Sequence, residues 1–313
     1  MESTQIARDT LYQQEISKLQ ATLEKIIIGK SDVIRLAITC LLADGHLLLE
    51  DVPGVGKTTL AKALSAAAGL DFQRIQFTND LLPADVTGMS IYSQEQETFN
   101  FLPGPIFAQL VLADEINRAN PKSQSALLEA MEEKSVTVDG TTHTLPDPFF
   151  VIGTQNPLTQ TGTYPLPESQ LDRFLMRVSL GYPDQTAERK ILAGENPASL
   201  IKELKAAISP AELLDIQTKV ATLHISDPAL DYLQALISET RESGKFVQGL
   251  SPRAGRGLLQ AARAHAVISG REYVLPDDFQ AVFINVAAHR LSTVNQDDSL
   301  DVLQELLAKI KTP

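Results

Sequence analysis

The chain of 313 residues has one cysteine, no tryptophan and few aromatic side chains. A lone cysteine, Cys40, cannot form an internal disulfide bond or build a cysteine-based zinc site. Because Cys40 lies in the apolar run 38–42, we expect it to be a buried small hydrophobic side chain. No apolar run approaches the ~18 residues of a membrane span, and the first residues lack the basic start and apolar stretch of a signal peptide. These absences predict a cytoplasmic protein.

Basic residues are also scarce, since 27 Lys and Arg stand against 39 Asp and Glu, a formal net charge of −12. Proteins that bind the phosphate backbone of DNA or RNA need a basic surface, so this composition disfavours a general nucleic-acid binder. Hydrophobic residues at 43% and charged residues at 21% are ordinary for a globular chain. The length suits two domains.

Short apolar runs alternate with helical patterns in the first part of the chain. The runs occupy residues 46–49, 72–77, 110–113, 149–152 and 176–180, and each is too short for a helix. Strands that are apolar on both faces and alternate with helices predict a parallel sheet covered on both sides. Ser31 is expected to cap one helix, and Asn120-Pro121 to begin another that ends near Glu133. Asp139-Gly140 predicts a β-hairpin over residues 136–145.

Beyond residue 185 only helical patterns follow. Pro210, Pro228, Pro252 and Pro276 each stand at a predicted helix start. We therefore expect an α/β domain over residues 1–185 and an all-helical domain over residues 186–313.

The strongest motif directly follows the first predicted strand and reads DVPGVGKTT over residues 51–59. A strand, a glycine-rich turn and a helix direct backbone N–H groups and the positive helix end toward an anion. Lys57 is expected to contact the β- and γ-phosphates of a nucleotide, and Thr58 to offer its hydroxyl to Mg²⁺. Asp51 stands where the usual pattern has glycine, but because it only opens the loop, we expect the loop geometry to survive. The predicted nucleotide-binding residues of this loop are Pro53, Gly54, Val55, Gly56, Lys57, Thr58 and Thr59.

A second motif is the apolar strand 110–113 that ends in Asp114 and Glu115. A buried strand rarely ends in two carboxylates unless their charge is compensated, and Mg²⁺ bound to ATP would compensate it. Asp114 is the predicted holder of the ion, and Glu115 the general base that polarises the attacking water. The alternative is a pair of solvated acids that cap the next helix.

Three further polar residues are candidates for the same site. Asn156, after the fourth predicted strand, can orient water against the γ-phosphate, although a turn-forming Asn-Pro pair explains it equally well. Arg173 ends a loop before the last strand, and Arg253 lies in the first turn of a helix, where a cation is electrostatically unfavourable. That position suggests an anionic partner, and the alternative for both arginines is simple exposure to solvent.

The sequence lacks the motifs of several other kinds of enzyme. The sequence has no His-Glu-x-x-His pattern, no Gly-x-Ser-x-Gly elbow and no Asn-Lys-x-Asp guanine motif. A catalytic zinc site, a serine nucleophile and GTP specificity are therefore disfavoured, and ATP is the expected nucleotide.

Together these motifs resemble those of the MoxR family of AAA+ ATPases, from about Ile27 to Leu291. The matching segments are residues 50–59, 76–85, 104–107, 113–119, 124–132, 154–157, 162–168, 171–174, 251–254, 270–271 and 289–290. The resemblance assigns Lys57 and Thr58 to Walker A, Asp114 and Glu115 to Walker B, and Asn156 to sensor 1. It also implies that Arg173 is an arginine finger that reaches a neighbouring subunit, and that Arg253 is sensor 2.

The resemblance further implies a fold and a kind of partner. The fold is an AAA+ α/β core of strand order 5-1-4-3-2 with a helical lid, and Ile27 and Gly29 belong to a segment that lies against adenine. The hairpin at 136–145 and an insert at about 88–103 would line the pore of a hexameric ring. Family members are thought to drive the assembly or activation of protein complexes, sometimes metal-cofactor insertion, often with a von Willebrand factor A-domain partner. This chain lacks the Asp-x-Ser-x-Ser motif, so such a domain would be a separate protein.

Two other functions remain open at this point. A DNA-directed AAA+ loader or a magnesium-chelatase-type motor subunit would share the motifs, although the charge of −12 argues against a role on nucleic acid. A nucleotide-sensing scaffold would bind ATP without hydrolysing it, but such a protein has no need of Glu115 as a base.

Overall fold

The computed structural model describes residues 2–95, 97–156, 164–194, 196–295 and 299–311. Pro157, Gly162 and Thr163 of the segments discussed above lie outside the described residues. The strands are β1 (Leu47–Glu50), β2 (Phe72–Gln76), β3 (Gly88–Ser93), β4 (Thr98–Pro103), β5 (Leu110–Asp114), β6 (Ser135–Val138), β7 (Thr141–Thr144), β8 (Phe150–Gln155) and β9 (Met176–Val178). The helices are α1 (Glu2–Glu24), α2 (Ser31–Leu42), α3 (Lys57–Ala67), α4 (Pro83–Thr87), α5 (Pro121–Glu133), α6 (Glu168–Leu171), α7 (Gln185–Ala193), α8 (Pro197–Glu203), α9 (Pro210–Thr222), α10 (Asp227–Glu242), α11 (Pro252–Ile268), α12 (Pro276–Ala287) and α13 (Ser299–Lys309).

Five of the strands form one parallel sheet in the order β2-β5-β8-β1-β9. They are the five strands that the apolar runs predict, each within a few residues of its expected bounds. Numbered along the chain as five core strands, their order is 5-1-4-3-2, so the predicted topology is confirmed.

The two faces of this sheet belong to two separate apolar clusters. Alternate residues such as Leu47, Leu49 and Leu112 join α1, α2, α3 and the C-terminal helices in the first cluster. Their neighbours Leu48 and Val111 face α5 in the second. Since side chains alternate across a strand, both faces are covered by helices, as a parallel sheet requires.

Strand β2 departs from the predicted pattern. Gln73, Arg74 and Gln76 are exposed, so the expectation that this strand is apolar on both faces is wrong. The reason is its position, because β2 lies at the edge of the sheet and, among the described strands, pairs with β5 alone.

Two β-hairpins lie outside the five-stranded sheet. The predicted hairpin, β6–β7, turns at Asp139 and Gly140, whose φ angles of 50° and 79° are those of a type I′ turn. Strands β3 and β4, which lie in the predicted insert, pair in antiparallel fashion as a second hairpin, with exposed Ile91 and Phe99. The ring of Phe101 on β4 stacks on that of His143 on β7 with centroids 3.8 Å apart, so the two hairpins are in contact.

The helix caps follow the sequence signals with one exception. Asn120 accepts hydrogen bonds from the first turn of α5, and Ser251 caps α11 through its hydroxyl, as expected. The prediction for Ser31 is wrong by one position, since Lys30 is the N-cap of α2 and Ser31 its first helical residue. Cys40 is fully buried as expected, and this burial raises the pKa of its thiol.

The strands of the described residues all precede residue 179, and helices α7 to α13 follow. Within those same residues no helix combines the length and the apolar character needed to cross a membrane.

Candidate nucleotide-binding site

The glycine-rich loop connects β1 to α3 and has the conformation that its sequence predicts. Helix α3 begins at Lys57, and its N-cap Gly56 has a φ of 102°. Gly54 also has a positive φ, 86°. A residue with a β-carbon is strained at such angles, so both glycines are required for the loop to turn into the helix.

A cavity of about 310 Å³ lies beside this loop. It brings together the predicted residues of the two motifs and of the fourth core strand. Its lining comprises Pro53, Gly54, Gly56, Lys57, Thr58, Thr59, Asp114, Glu115 and Asn156. Val55, also predicted here, packs against the first apolar cluster.

The ammonium group of Lys57 is held inside the loop. Its Nζ donates to the carbonyl oxygens of Asp51 and Val52, at 2.5 and 3.2 Å, and lies 3.4 Å from Oδ1 of Asn156. Burial lowers the pKa of Lys57, and the nearby charges of Asp51, Asp114 and Glu115 act in the opposite direction. Among the described residues that line the cavity, Lys57 is the single basic one.

Asp114, at the end of β5, has two partners for its buried carboxylate. Thr154 donates to Oδ1 at 2.6 Å, and Arg74 forms an ion pair with Oδ2, also at 2.6 Å. Sequence reasoning missed Arg74, because only the β2–β5 register places it near Asp114. Carboxylate and hydroxyl oxygens are ligands that Mg²⁺ prefers, so Asp114 and Thr58 fit that ion.

Glu115 adopts the left-handed backbone conformation, with φ of 55° and ψ of 47°. This conformation costs a residue other than glycine on the order of 1 kcal/mol. The carboxylate accepts from Asn156 Nδ2 at 3.0 Å, Arg118 at 2.9 Å and Gln76 at 3.1 Å. Its backbone N–H donates to Thr154 Oγ1 at 2.8 Å. The predicted base is thus fixed by both its backbone and its side chain.

Asn156 connects the two motifs through its amide. The amide nitrogen donates to Glu115, and the amide oxygen faces Lys57. The side chain of Asn117 donates to the Asn156 carbonyl at 3.1 Å and fixes the end of β8. An amide at this place is suited to orient a water molecule between the base and a bound phosphate.

Asp51, which replaces the usual first glycine of the loop, connects the loop to the segment after β9. Its carboxylate accepts from Val52 N at 2.9 Å, Ser179 Oγ at 2.9 Å and Gly181 N at 2.6 Å. Burial acts to raise the pKa of Asp51, but these hydrogen bonds outweigh it and the pKa lies below its usual value. The expectation that the loop tolerates Asp51 agrees with this geometry.

The two predicted arginines are found elsewhere. Neither Arg173 nor Arg253 is among the described residues that line the cavity. Arg173 pairs with Glu132 at 2.9 Å and donates to the Leu128 carbonyl, and Arg253 pairs with the same Glu132 at 2.6 Å. Sequence reasoning did not single out Glu132, because one of several acids on a helix carries no local signal.

The predicted adenine segment is also apart from the cavity lining. Ile27 is buried in the first apolar cluster. Gly29 has a φ of 75°, and a β-carbon there would lie 2.8 Å from that of Ala187 on α7. The segment therefore packs closely against the first helix after the sheet. Among the residues that the structure describes, no group of three or more His, Cys, Asp and Glu side chains could hold a metal ion.

Comparison with known proteins gives two family matches. Residues 46–176 match the ATPase family associated with various cellular activities (AAA), and residues 238–310 match the AAA lid domain. The first match contains the cavity-lining residues.

Individual relatives resemble the chain over most of their length. The uncharacterised protein YeaC of Bacillus subtilis is 43% identical over 96% of this chain and 97% of its own. Chaperone MoxR1 of Mycobacterium tuberculosis is 41% identical over 86% of this chain and 73% of its own, and Protein MoxR of Paracoccus denitrificans is 33% identical over 87% of each. The crystal structure of a presumed ATPase from Cytophaga hutchinsonii superposes with a TM-score of 0.90, at 34% identity over 100% of this chain and 99% of its own.

Proposed function

The chain belongs to the MoxR family of AAA+ ATPases, and from this premise we propose that it is a chaperone that uses ATP hydrolysis to assemble or activate protein complexes. One observation carries the proposal: Lys57, Thr58, Asp114, Glu115 and Asn156 line a single cavity at the start of α3. A relative that is 41% identical is named a chaperone. The net charge of −12 disfavours the DNA-directed alternative.

The nucleotide is proposed to bind at the glycine-rich loop and the adjoining ends of β5 and β8. The triphosphate lies along residues 53–59, where it accepts from the N–H groups of the first turn of α3. Lys57 exchanges its loop carbonyls for the β- and γ-phosphate oxygens, and Ile27 and Gly29 lie on the adenine side. Thr58 and Asp114 would hold Mg²⁺, which when bound neutralises phosphate charge.

Hydrolysis then depends on Glu115 and its amide partner. Glu115 removes the proton from a water molecule that Asn156 holds in line with the γ-phosphate. The hydrogen bond of 3.0 Å between the two side chains supports this pairing. Removal of a general base costs ~10²-fold or more in turnover.

At the level of the assembly, we divide the chain into a nucleotide-binding core, residues 1–185, and a lid, residues 186–313. We take the active form to be a hexameric ring, in which Arg173 reaches the nucleotide of the neighbouring subunit and Arg253 acts as sensor 2. The hairpins β3–β4 and β6–β7 line the pore. A separate protein with a von Willebrand factor A-domain is the proposed partner, and metal-cofactor insertion one of the proposed uses.

The test combines nucleotide binding, turnover and action on a protein substrate. Wild type should bind ATP by calorimetry, hydrolyse it, and restore activity to chemically denatured citrate synthase. Glu115→Gln should keep the ATP affinity, lose ~10²-fold or more in turnover, and restore no activity. Strong, salt-sensitive stimulation of turnover by duplex DNA, without any effect on citrate synthase, would instead favour the DNA-directed function.

A further inference from the structure

Glu132 forms ion pairs with two arginines from different parts of the chain. Its Oε2 is 2.9 Å from Nη2 of Arg173, and its Oε1 is 2.6 Å from Nη1 of Arg253. Glu132 lies in the last turn of α5, Arg173 follows α6, and Arg253 lies in the first turn of α11. One carboxylate therefore joins three separate segments.

A second contact joins the same segments. Asp172, the neighbour of Arg173, pairs with Nε of Arg290 at 2.6 Å. The hydroxyl of Ser251, the N-cap of α11, lies 3.4 Å from the other carboxylate oxygen of Asp172. The loop that carries Arg173 thus contacts the helix start that carries Arg253 directly at Ser251, and is joined to it a second time through Glu132.

Arg290 fixes the backbone around Arg173. Its side chain is 6% exposed and donates to the carbonyl oxygens of Asp172, Phe174 and Leu175. The main chain on both sides of Arg173 is therefore fixed, and its long side chain is held separately, by Glu132 and by the Leu128 carbonyl.

The position of that side chain depends on Glu132 for two physical reasons. Two neighbouring guanidinium groups repel each other, and an anion that contacts both offsets this repulsion. Glu132 is such an anion. A long arginine side chain also loses conformational entropy when it is held in one place, and an ion pair offsets that cost before a ligand arrives. The pairs are partly exposed, with Arg173 at 26% and Arg253 at 47%, so each adds little to stability. Positioning is then their main effect.

We propose that Glu132 is a positioning residue, which holds Arg173 and Arg253 as one unit and so presents both guanidinium groups together to a nucleotide's terminal phosphates. The inference rests on the proposed function for the role of Arg173 at a subunit boundary. Beyond that role, it predicts that Glu132 is needed for the action of Arg173, and that Arg173 and Arg253 depend on each other.

The experiment measures steady-state ATP hydrolysis by the full-length, assembled chain. Glu132→Gln keeps the size of the side chain and removes its charge. Its kcat should fall ~10-fold or more, while KM and the calorimetric Kd for ATP stay within about twofold, because Glu132 is not part of the ATP cavity. The matched control is Glu133→Gln, the same change on the next, exposed residue, which should keep the wild-type kcat.

A double-mutant cycle on the arginines tests the same unit with Glu132 intact. If Arg173 and Arg253 act together, the variant that carries both Arg173→Lys and Arg253→Lys should lose about as much kcat as the more impaired single variant. If the two arginines act independently, their losses multiply, and that result overturns the inference.

The remaining outcomes separate this inference from the proposed function. An unchanged or raised kcat in folded, assembled Glu132→Gln, together with an inactive Arg173→Ala, overturns the positioning role alone. If Arg173→Ala itself keeps the wild-type kcat, the proposed role of Arg173 is wrong and the positioning role is wrong with it.

Discussion

Asp51, which departs from the usual glycine of the loop motif, forms hydrogen bonds that a glycine could not form. The usual glycine would leave the start of the loop unconnected, whereas the Asp51 carboxylate binds the backbone of Gly181 and the hydroxyl of Ser179. Those residues begin the segment that leads from β9 to α7. Asp51 therefore connects the glycine-rich loop to the chain that continues into the C-terminal helices.

Substitution of Asp51 by Asn should destabilise the protein in a pH-dependent way. Asn cannot accept all of the hydrogen bonds to the carboxylate, and the unsatisfied buried groups cost about 1–3 kcal/mol. Because the folded pKa of Asp51 is lowered, its contribution is complete above the unfolded pKa of about 4 and is lost as pH falls through the folded pKa. Urea unfolding at several pH values should show the difference between wild type and variant at pH 7 and its decline below about pH 4.

Asp44→Asn is the control, since Asp44 pairs with Lys134 on the surface, where both side chains are more than two-fifths exposed. Such a pair contributes about 0–1 kcal/mol. Parallel stability curves for wild type and Asp51→Asn down to pH 2 would show that the Asp51 charge does not stabilise the fold.

Also at the scale of residues, a position that a local motif defines can be predicted from the sequence, whereas a contact with a distant part of the chain cannot. The positions of Lys57 and Asp114 follow from a glycine turn and a strand end, both visible within a few residues of sequence. Arg74 and Glu132 gain their partners from segments far along the chain. Only the register of the sheet and the packing of α11 on the sheet domain create those contacts, so no local pattern indicates them.

Among the elements, α5 makes side-chain contacts with other segments at both of its ends. Its last turn carries Glu132, and its Leu128 carbonyl accepts from Arg173. Its start is fixed by Asn120, which accepts from the N–H groups of Lys122 and Ser123 and donates to the Leu81 carbonyl at 2.8 Å.

The Asn120→Ala substitution should therefore lower the free energy of unfolding by about 1–2 kcal/mol, the usual cost of a lost N-cap. The chain offers a matched comparison, because Asn196-Pro197 begins α8 with the same two residues. Asn196 accepts only from Ala198 N among the described residues, and α8 has no buried residue in that set. Asn196→Ala should cost about 0.5 kcal/mol or less, and equal losses in urea unfolding would contradict the special role of the α5 cap.

Element prediction succeeded where local chemistry decides the structure. Asp139-Gly140 defines its hairpin because few other residues accept positive φ at both positions. The hairpin β3–β4 has no such turn signal, and only the resemblance to a family indicated that an insert lies there. The polar residues of β2 show the same limit, since an edge position depends on the strand order of the whole sheet.

At the scale of the whole molecule, the separation of Arg173 from its own ATP cavity leads to a complementation prediction. Arg173→Ala and Glu115→Gln should each be inactive, but in a mixed ring a subunit with intact Glu115 can meet a neighbour with intact Arg173. Random mixing in equal amounts rebuilds about a quarter of the sites if each site is shared by two copies. Turnover of the mixture should rise accordingly.

The control mixes Lys57→Ala with Glu115→Gln, whose defects lie on the same side of the site and cannot complement each other. Light scattering should show a larger assembly in the presence of ATP and so report mixed rings. Mixed rings without any recovery in the first mixture would show that Arg173 does not act on a neighbour.

One apolar cluster runs without interruption from the sheet into the C-terminal helices. Met176 of β9, Leu258 of α11 and Phe283 of α12 all belong to it. A wide hinge opening between these parts would expose their side chains to water, at about 25 cal/mol for each Å² of apolar surface. Movement during the ATP cycle should therefore be shear, a short sliding of packed helices past one another. In the proposed ring, mechanical work on a protein substrate would then add up from small displacements in several subunits, and no single subunit would need a long stroke.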